Sequence, residues 1–429
     1  MLGINNKLKE LHEKNNPIRV SLVGAGLMGK GLVSQMMLMR GMKPSLVISR
    51  RIESAIEAYT LAGVSKSDIV IANTMDDINY AMERNKFVVS DRSEFAASPN
   101  LVDVVVDATG GPDTGARIAM DSILNKKHIV MLNVEADVVV GPILNKLAKN
   151  AGVVYTGTAG DEPGTVKEIY DFADASGFEV VAIGKGKNNA IDYAATPDSV
   201  REEALRKGLK PSMLACFVDG TKTMVELTAM ANATGFIPDV RGGHGPASDV
   251  KGLPAMFRLV EDGGILNKYK VVEYVRGVAP GVFVIVTSRL PQVHHEMQFL
   301  SMGPGPNYVL YRPYHLTSLE TPMSIANAFF YNEPTIAPLY EKPVAETITI
   351  AKKDLKVGER LDGIGEYTVY GSVDTYEKAK EENLLPIGLV NENTIVKQDI
   401  KKGEFITYDM VDIDKSTMIY KLRQLQEML

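Results

Sequence analysis

The segment Val20–Gly31, which reads VSLVGAGLMGKG, constrains the fold more than any other part of the sequence. An apolar run leads into glycines with the spacing G-x-G-x-x-G, and a stretch with helical periodicity follows. In such a unit the backbone N–H groups of the turn and the helix dipole face the pyrophosphate of a dinucleotide. The spacing alone is weak evidence, because glycines also serve turns without a ligand. The predicted cofactor-binding residues here are Gly24, Gly26, Leu27, Met28 and Gly29.

Two further segments fit a dinucleotide site. In this kind of fold the second strand ends near the adenosine ribose, where a carboxylate selects NAD and an arginine accommodates the 2′-phosphate of NADP. That position reads Ser49-Arg50-Arg51 without a carboxylate, so the sequence favours NADP and leaves NAD open. Surface arginines are common, and both could simply be solvated residues at a helix start. Thr109 and Gly110 are expected near the nicotinamide ribose, although such a small-residue turn is also an ordinary strand end.

Short apolar runs alternate with helical stretches through the first half of the chain, which is the pattern of a parallel sheet covered on both faces. We therefore predict an α/β fold with a Rossmann-type parallel sheet. Near residue 156 the residue pattern changes to long polar stretches with helical spacing. After residue 340 it changes again, to short, lysine-rich runs that are typical of strands. The predicted domains are residues 1–155, 156–340 and 341–429. The predicted strands of the first are Pro17–Gly24, Ser45–Ser49, Leu101–Asp107, His128–Asn133 and Gly152–Tyr155.

Composition narrows the class of function. The chain has 429 residues, a formal net charge of −6 and 45% hydrophobic residues, so it can bury sizeable cores and has no basic footprint for nucleic acid or anionic membranes. Its one cysteine, Cys216, cannot form an internal disulfide, which fits a reducing cytoplasm. The N-terminal residues lack the apolar run of a signal peptide. We expect a cytoplasmic protein with a small-molecule substrate and no nucleic-acid or membrane partner.

The densest group of polar residues lies between residues 157 and 226. Asp219, Lys222 and Glu226 stand at i, i+3 and i+7, which predicts one face of a helix that is otherwise small and apolar. A salt-bridged surface stripe has the same spacing. The apolar surroundings favour instead a desolvated lysine beside carboxylates, which can be tuned for proton transfer. Lys222 is the first candidate for the proton-transfer group and Lys185 the second. The predicted catalytic residues are Lys222, Lys185, Asp219, Glu226 and Lys187.

The two lysines of the GKGK stretch stand in an unusual setting, and the histidines are weaker candidates. Lys185 and Lys187 follow the apolar run VVAIG, where charge at a strand end needs a partner or a ligand. His244 lies in a glycine-rich loop that either closes over a substrate or is satisfied by backbone groups. His294 and His295 are adjacent, so their side chains point apart and a metal site there is not favoured.

Several stretches resemble the homoserine-dehydrogenase-like oxidoreductases: the glycine motif, Asp107-A-T-G-G, Asn133-V-E-A-D, Gly184-K-G-K-N-N-x-x-D, Ala195-T-P-D and Phe217-V-D-G-T-K-T-M-V-E. Within that group they are most similar to the deoxyxylulose phosphate reductoisomerase-like branch. The C-terminal stretches Ala351-K-K-D-L-K-V-G, Leu385-P-I-G-L-V and Asp399-I-K-K-G-E-F-I-T resemble the SAF module, a β-clip-like domain. Together the two resemblances cover nearly the whole chain.

The resemblance implies an NAD(P)-binding Rossmann domain, an α+β catalytic domain that also mediates homodimerisation, and a small β-rich SAF domain. It implies hydride transfer on a small polyhydroxylated carbonyl compound or sugar phosphate, as in a deoxyxylulose phosphate reductoisomerase-like reaction of isoprenoid precursor synthesis. The alternatives are homoserine dehydrogenase, a sugar-acid dehydrogenase and a non-catalytic dinucleotide sensor.

By motif position, the resemblance carries catalytic roles over to Lys222, Asp219 and Glu226. Homoserine dehydrogenases place the acid and the lysine four residues apart, whereas Asp219 and Lys222 are three apart. Reductoisomerases also use a divalent metal held by carboxylates, and Glu135 and Asp137 stand at the corresponding strand end.

Overall fold

The computed structural model describes residues 3–429, which form two compact units. The first unit comprises the residues up to Asp161 together with Leu316–Ala337 and Thr417–Leu429, and the second comprises Glu162–His315 and Pro338–Ser416. This grouping differs from the three domains predicted from the sequence, because most of the β-rich segment belongs to the second unit and the last helix to the first. No helix within residues 3–429 is long and apolar enough to cross a membrane.

A sheet that has seven strands in the described residues forms the core of the first unit, and every pair of neighbouring strands is parallel. Its central strands are almost wholly apolar and buried, as expected when helices cover both faces. The strands are β1 (Ile18–Val23), β2 (Met42–Ile48), β3 (Ile69–Ile71), β4 (Phe87–Ser90), β5 (Val104–Asp107), β6 (His128–Met131) and β7 (Tyr155–Gly157). They lie in the order β3-β4-β2-β1-β5-β6-β7, which confirms the predicted α/β class.

Helix α1 (Ile4–Glu13) precedes β1, and most of the strands are followed by helices. These are α2 (Leu27–Leu38), α3 (Ile52–Leu61), α4 (Met75–Glu83), α5 (Pro112–Leu124) and α6 (Val134–Ala151). The predicted strand at Gly152–Tyr155 is wrong in its bounds. Gly152 has φ 75° and ends α6 in the left-handed conformation that favours glycine, so the strand begins only at Tyr155.

The second unit is built on a mixed sheet. Its strands are β8 (Glu179–Lys187), β9 (Ile237–Pro238), β10 (Val271–Arg276), β11 (Val282–Thr287) and β12 (Tyr308–Arg312). They lie in the order β12-β11-β8-β10-β9, where β10 is parallel to β8 and β9, and β11 is antiparallel to β8 and β12. Its helices up to residue 300 are α7 (Glu162–Ala175), α8 (Arg201–Arg206), α9 (Pro211–Val218), α10 (Thr221–Thr234), α11 (Leu253–Met256) and α12 (Pro291–Phe299).

The remaining elements complete both units. The first unit gains α13 (Thr321–Tyr331) and α15 (Met418–Glu427), and the second gains α14 (Tyr376–Glu381). The predicted β-rich character of the C-terminal segment is confirmed by four strands within residues 338–416, all of which the structure describes. They are β13 (Ala345–Ala351), β14 (Val369–Thr375), β15 (Ile395–Val396) and β16 (Val411–Asp412), paired antiparallel as β13-β14 and β15-β16.

Helix α10 runs through the interior of the second unit, and all its residues except Lys222 are buried. One side packs on α7 and the mixed sheet, and another packs on the hairpin β13-β14. The hairpin is bonded to it, because Thr228 Oγ1 lies 2.8 Å from Thr347 Oγ1 and Gly371 N donates to Thr221 Oγ1 at 2.9 Å. A helix that is buried on almost every side must be covered by other elements on those sides. The C-terminal hairpin therefore supplies part of the cover that the sequence of α10 requires.

Side chains of the last helix bind backbone groups of α6 next to a proline. Pro142 lies inside α6 and has no N–H, and a proline ring disturbs the hydrogen bonds around it. Ile143 N donates to Gln426 Oε1 on α15 at 3.1 Å, and Gln426 Nε2 donates back to Val139 O at 3.1 Å. Arg423 Nη1 donates to the same carbonyl oxygen at 3.2 Å. Buried backbone groups are therefore satisfied by side chains from almost 300 residues further along the chain.

Candidate active site

The glycine turn after β1 has the geometry of a dinucleotide-binding turn. Gly24 has φ 108°, and a Cβ there would lie 2.6 Å from Ala108 O on the neighbouring turn. A Cβ on Gly29 would lie 1.9 Å from Gly24 O, so helix α2 can approach β1 only with glycine at that position. A Cβ on Gly26 would meet nothing within 4 Å, which leaves open space at the N-terminus of α2. Gly24 thus permits the tight turn, Gly26 leaves the N-terminus of α2 open to a ligand, and Gly29 permits close packing of α2 on β1.

The end of β2 lies beside this turn. Val23 pairs with Ile48 in the parallel ladder, and Gly24 N donates to Ile48 O at 2.8 Å. Arg50 and Arg51 follow immediately, and both are exposed. Their contact with a 2′-phosphate stays a prediction.

The turn after β5 is fixed by a buried carboxylate. Asp107 is completely buried, and its Oδ1 accepts a hydrogen bond from Thr109 N at 2.8 Å. Burial raises the pKa of Asp107 to about 6, against the lowering effect of hydrogen bonds with Thr109 and Asn133. Asn133 caps α6 and donates to Gly111 O at 2.9 Å. The predicted cofactor residues Thr109 and Gly110 thus lie in a well-ordered turn at the carboxyl end of β5.

Lys185 is the centre of the candidate site in the second unit. Its side chain on β8 is only 7% exposed, and its Nζ donates to Glu162 Oε1 at 2.7 Å and to Glu226 Oε2. Glu162 is the first residue of α7 and Glu226 lies on α10, so three elements converge on one ammonium. Burial acts to lower the pKa of Lys185, but the two carboxylates outweigh it and raise that pKa. Lys185 is therefore a fixed positive charge at neutral pH.

The alternation of glycine and lysine in GKGK follows from the two faces of β8. A Cβ on Gly184 would lie 2.0 Å from Glu273 O, and one on Gly186 would lie 2.3 Å from Ala279 N. Side chains alternate between the faces of a strand, so both lysines project towards the side where α9 and α10 lie. The crowded face demands glycines, and the other face carries the charge.

Lys187 has the opposite electrostatic character to Lys185. It is buried, and its Nζ donates to Phe217 O at 2.8 Å and to Asn189 Oδ1 at 3.3 Å. Burial lowers the pKa of Lys187 to about 8, and the charge of Lys185 adds to the effect. A lysine with a pKa near the working pH can exchange a proton during a reaction. Lys187 is therefore the lysine of this strand that is suited to acid–base chemistry.

The predicted helix face of Asp219, Lys222 and Glu226 is wrong for Asp219. Helix α9 ends before Asp219, and Gly220, with φ 88°, separates it from α10. Asp219 is completely buried, its Oδ1 accepts from Thr221 N at 2.8 Å, and its Oδ2 lies 2.7 Å from Lys352 Nζ. Its charge partner therefore comes from the C-terminal β-rich segment rather than from its own helix.

Lys222 and Glu226 do share α10, four residues apart. Glu226 is buried against Lys185, whereas Lys222 is half-buried in the first turn. The structure also adds His315, whose Nε2 lies 3.4 Å from Glu162 Oε1. Sequence analysis missed His315, because a single histidine in the loop after β12 has no local pattern that distinguishes it.

Two other histidines, His244 and His294, have structural partners. His244 Nδ1 lies 2.8 Å from Glu273 Oε1, and His244 Nε2 lies 3.6 Å from Asp239 Oδ2. The hydrogen bond to Glu273 raises the pKa of His244 against the effect of burial. His294 Nδ1 lies 3.0 Å from the Tyr308 hydroxyl, and its Nε2 lies 2.8 Å from Ser288 O. His244 thus links its loop to β10, and His294 links α12 to β12.

Carboxylates that could hold a divalent metal in the second unit are those of Glu162 and Glu226. Both carboxylates accept hydrogen bonds from the Lys185 ammonium, and a metal ion at that place would compete with the ammonium for the same oxygens. In the first unit, Asp137 accepts a hydrogen bond from the Tyr155 hydroxyl at 2.8 Å, and burial raises the pKa of Asp137 to about 6. The Asp137 oxygen that accepts this hydrogen bond already has a partner, and a metal held by Glu135 and Asp137 stays a prediction.

Sequence comparison assigns both parts of this arrangement. Residues 24–156 match the family described as homoserine dehydrogenase, NAD binding domain, and residues 160–321 match oxidoreductase DRL, catalytic domain. The chain is an NAD(P)-dependent oxidoreductase. The boundary between the two matches falls where the first unit of this oxidoreductase passes into the second, at residues 161–162.

Other comparisons give remote likenesses of this oxidoreductase. No curated protein matches it in sequence. A probable dehydrogenase from Thermotoga maritima is 14% identical with a TM-score of 0.41, over 75% of this chain and 90% of that one. The scyllo-inositol dehydrogenase from Lactobacillus casei, solved with NAD(H) and scyllo-inositol, is 11% identical with a TM-score of 0.36, over 69% and 76% of the two chains.

Proposed function

We propose that this oxidoreductase prefers NADP and reduces a small polyhydroxylated carbonyl compound that carries a phosphate or a carboxylate. The observation that supports the proposal is the pair of buried lysines on β8, one permanently charged between Glu162 and Glu226 and the other with a lowered pKa. A bound NADPH supplies the hydride. The protein then has to orient the carbonyl group, exclude water and deliver one proton to the new alkoxide oxygen.

Lys187 is the proton-transfer group that this geometry favours. A group that gives a proton to an alkoxide and recovers it from solvent works best when its pKa is near the operating pH, which holds for Lys187 and not for Lys185. Lys185 is suited to bind a substrate oxygen or an anionic substituent as a fixed cation. Lys222, the first candidate from the sequence, lies one turn before Glu226 and remains the competing assignment.

The first substrate to test is deoxyxylulose phosphate. The resemblance of the GKGKNN and FVDGTKTMVE stretches to the reductoisomerase-like branch supports this choice. Reduction after an isomerisation would place the enzyme in isoprenoid precursor synthesis. If a divalent metal takes part, Glu162 and Glu226 are the residues of the second unit that would hold it.

Homoserine dehydrogenase activity is the second candidate, and the match of residues 24–156 to that family's NAD-binding domain favours it. One experiment separates the candidates. Purified enzyme is mixed with NADPH or NADP and, in turn, deoxyxylulose phosphate, homoserine, aspartate semialdehyde, and four- and five-carbon sugar acids, with and without Mg²⁺ or Mn²⁺, while absorbance at the nicotinamide band is followed. Turnover with the sugar phosphate supports the proposal. Turnover with homoserine alone, or binding of NADPH without turnover of any compound, contradicts it.

A further inference from the structure

The C-terminal β-rich segment holds the α9–α10 region from residue 212 to residue 228. A Cβ on Gly365 would lie 2.2 Å from Ser212 O, so the turn before β14 packs against the first turn of α9. In α10, Thr228 and Thr221 form hydrogen bonds with Thr347 and Gly371 of the segment. Lys352, directly after β13, lies between these points and pairs with Asp219. The contact region therefore includes the helix junction as well as both helices.

Lys352 joins three separate backbone segments at that junction. Its side chain is 2% exposed, and its Nζ lies 2.7 Å from Asp219 Oδ2 while donating to Ala195 O and Glu366 O, each at 2.8 Å. Ala195 belongs to the loop that follows β8, and Glu366 belongs to the turn before β14. A buried ammonium that donates to two backbone carbonyl oxygens and forms an ion pair with a buried carboxylate fixes the relative positions of the three segments, and such an arrangement is costly to lose.

The junction that Lys352 fixes leads to both lysines of the candidate site. Phe217 O, two residues before Asp219, accepts the hydrogen bond from Lys187 Nζ at 2.8 Å. Thr221 N, two residues after Asp219, donates to Asp219 Oδ1 at 2.8 Å and begins the helix that carries Glu226. A shift of the Asp219 carboxylate would therefore move the acceptor of Lys187 and the first turn of α10 together.

We propose that Lys352 is a positioning residue for the buried lysine pair, and that residues 338–416 act as a structural part of the catalytic site. This inference rests on the proposed role of Lys185 and Lys187 in the reaction. Lys352 acts through Asp219 and the Phe217 carbonyl, and it contacts neither lysine in the hydrogen bonds described above. Neither matching family covers this segment, since the two matches end at residues 156 and 321.

Three variants test the inference. Lys352→Met removes the charge and the donors, Lys352→Arg keeps the charge with a different donor geometry, and Lys356→Met removes an exposed lysine of the same segment that pairs with Asp399. Hydrogen–deuterium exchange of the intact protein, followed by mass spectrometry, gives exchange rates for residues 188–195, residues 212–228 and the sheet of the first unit. Steady-state kinetics give kcat and KM with the substrate found in the screen.

Lys352→Met is expected to speed exchange at residues 188–195 and 212–228 while exchange in β1–β7 stays as in the wild type. Its kcat is expected to fall between about 10- and 100-fold, since small misplacements of catalytic groups have effects of this size. The KM for NADPH should not change, and Lys356→Met should behave as the wild type. Unchanged exchange at both segments, or exchange that rises equally throughout the protein, would overturn the inference.

Two outcomes separate this inference from the proposed function. If the wild type turns over no compound, the proposed function fails, and the exchange rates still decide whether Lys352 holds the junction. If Lys352→Met does not fold, Lys352→Arg replaces it. Faster exchange confined to residues 188–195 and 212–228 then supports the inference, and exchange and kcat equal to the wild type contradict it.

Discussion

Lys185 and Lys187 are two residues apart on the same strand face, yet their pKa values are shifted in opposite directions. The difference comes from their partners, because Lys185 lies between two carboxylates while Lys187 donates to an uncharged carbonyl and a side-chain amide. Burial lowers the pKa of both groups, but only Lys185 has enough adjacent negative charge to reverse that effect. A cation that stays charged and a lysine that can release its proton thus share one small site.

The substitution Lys187→Met is expected to lower the rate of carbonyl reduction by about 10²- to 10⁴-fold, the range of general acid–base catalysis, with little change in NADPH binding. In the wild type, kcat/KM for reduction should fall as pH rises through about 8, because the lysine must be protonated to donate. In the oxidation direction it should rise through the same pH.

Lys222→Met and Lys185→Met are the comparison variants for this measurement. Loss of a cation that binds substrate mainly raises KM, which is the result expected for Lys185→Met. Near-normal turnover by Lys187→Met together with a 10²-fold or larger loss (a rough figure for general acid–base catalysis) in Lys222→Met would return the proton-transfer role to α10.

The proposed preference for NADP predicts that Arg50 and Arg51, which follow β2, bind the 2′-phosphate. A hydrogen bond from a guanidinium to the 2′-phosphate contributes roughly 1.5–3 kcal/mol, which corresponds to a preference of about ten- to a hundredfold for NADP over NAD. Arg50→Ala and Arg51→Ala should therefore weaken NADPH binding and leave NADH binding nearly unchanged, as measured by fluorescence titration. The exposed Arg84 supplies the control variant Arg84→Ala. Equal affinity of the wild type for NADPH and NADH would refute this prediction.

At the scale of single elements, α15 stabilises α6 through the side chains of Gln426 and Arg423. Gln426→Ala leaves Ile143 N without its acceptor in a buried place, which should lower the free energy of unfolding by about 1–3 kcal/mol. Gln424 lies two residues earlier on the same helix and is exposed, so Gln424→Ala should change that free energy by less than about 0.5 kcal/mol. Urea denaturation followed by circular dichroism compares the two variants. Equal stability of both would show that the bond across the proline break contributes nothing.

The sequence predicts elements whose signals are local, and the structure departs from it where partners are distant. The glycine turn and the flanking β1 and α2 were predictable, because the steric demands on Gly24 and Gly29 arise within a few residues of each other. The position of Asp219 was not, because the helix break at Gly220 depends on a left-handed conformation that helical spacing does not reveal.

The same distinction explains the residues that sequence analysis missed. Lys352 is 133 residues after Asp219 and lies in a lysine-rich stretch where most neighbours are exposed, so nothing local marks it as buried. His315 meets Glu162 only because β12 ends beside the start of α7. Conversely, the small and apolar sequence of α10 did predict a buried helix, since such a surface cannot be left in water.

At the scale of the whole molecule, stability should depend on pH through His244. Its pKa is raised in the folded protein by Glu273, so its contribution to stability is fully present below its unfolded pKa of about 6.5 and is lost as pH rises through the folded value. The difference in free energy of unfolding between the wild type and His244→Asn should therefore be largest near pH 6 (an approximate value below the unfolded pKa) and shrink towards alkaline pH. Chemical denaturation at several pH values measures it. A difference that is constant or grows with pH would contradict the prediction.

The path of the chain passes between the two units four times, after residues 161, 315, 337 and 416. Neither unit is therefore a continuous stretch of sequence. The family matches end at residues 156 and 321, so neither match includes all the residues of the unit in which it lies. Expression of residues 24–156 alone would omit α13 and α15, both of which belong to the first unit.

This order of segments has a consequence for synthesis on the ribosome. Residues of the first unit are made both before and after those of the second, and residues 417–429 emerge only after every residue of the second unit has been made. Until those residues have emerged, Val139 O and Ile143 N of α6 cannot form the hydrogen bonds that they make with Gln426 and Arg423 in the folded protein. A chain that stops shortly before residue 417 therefore contains every residue of the second unit but an incomplete first unit.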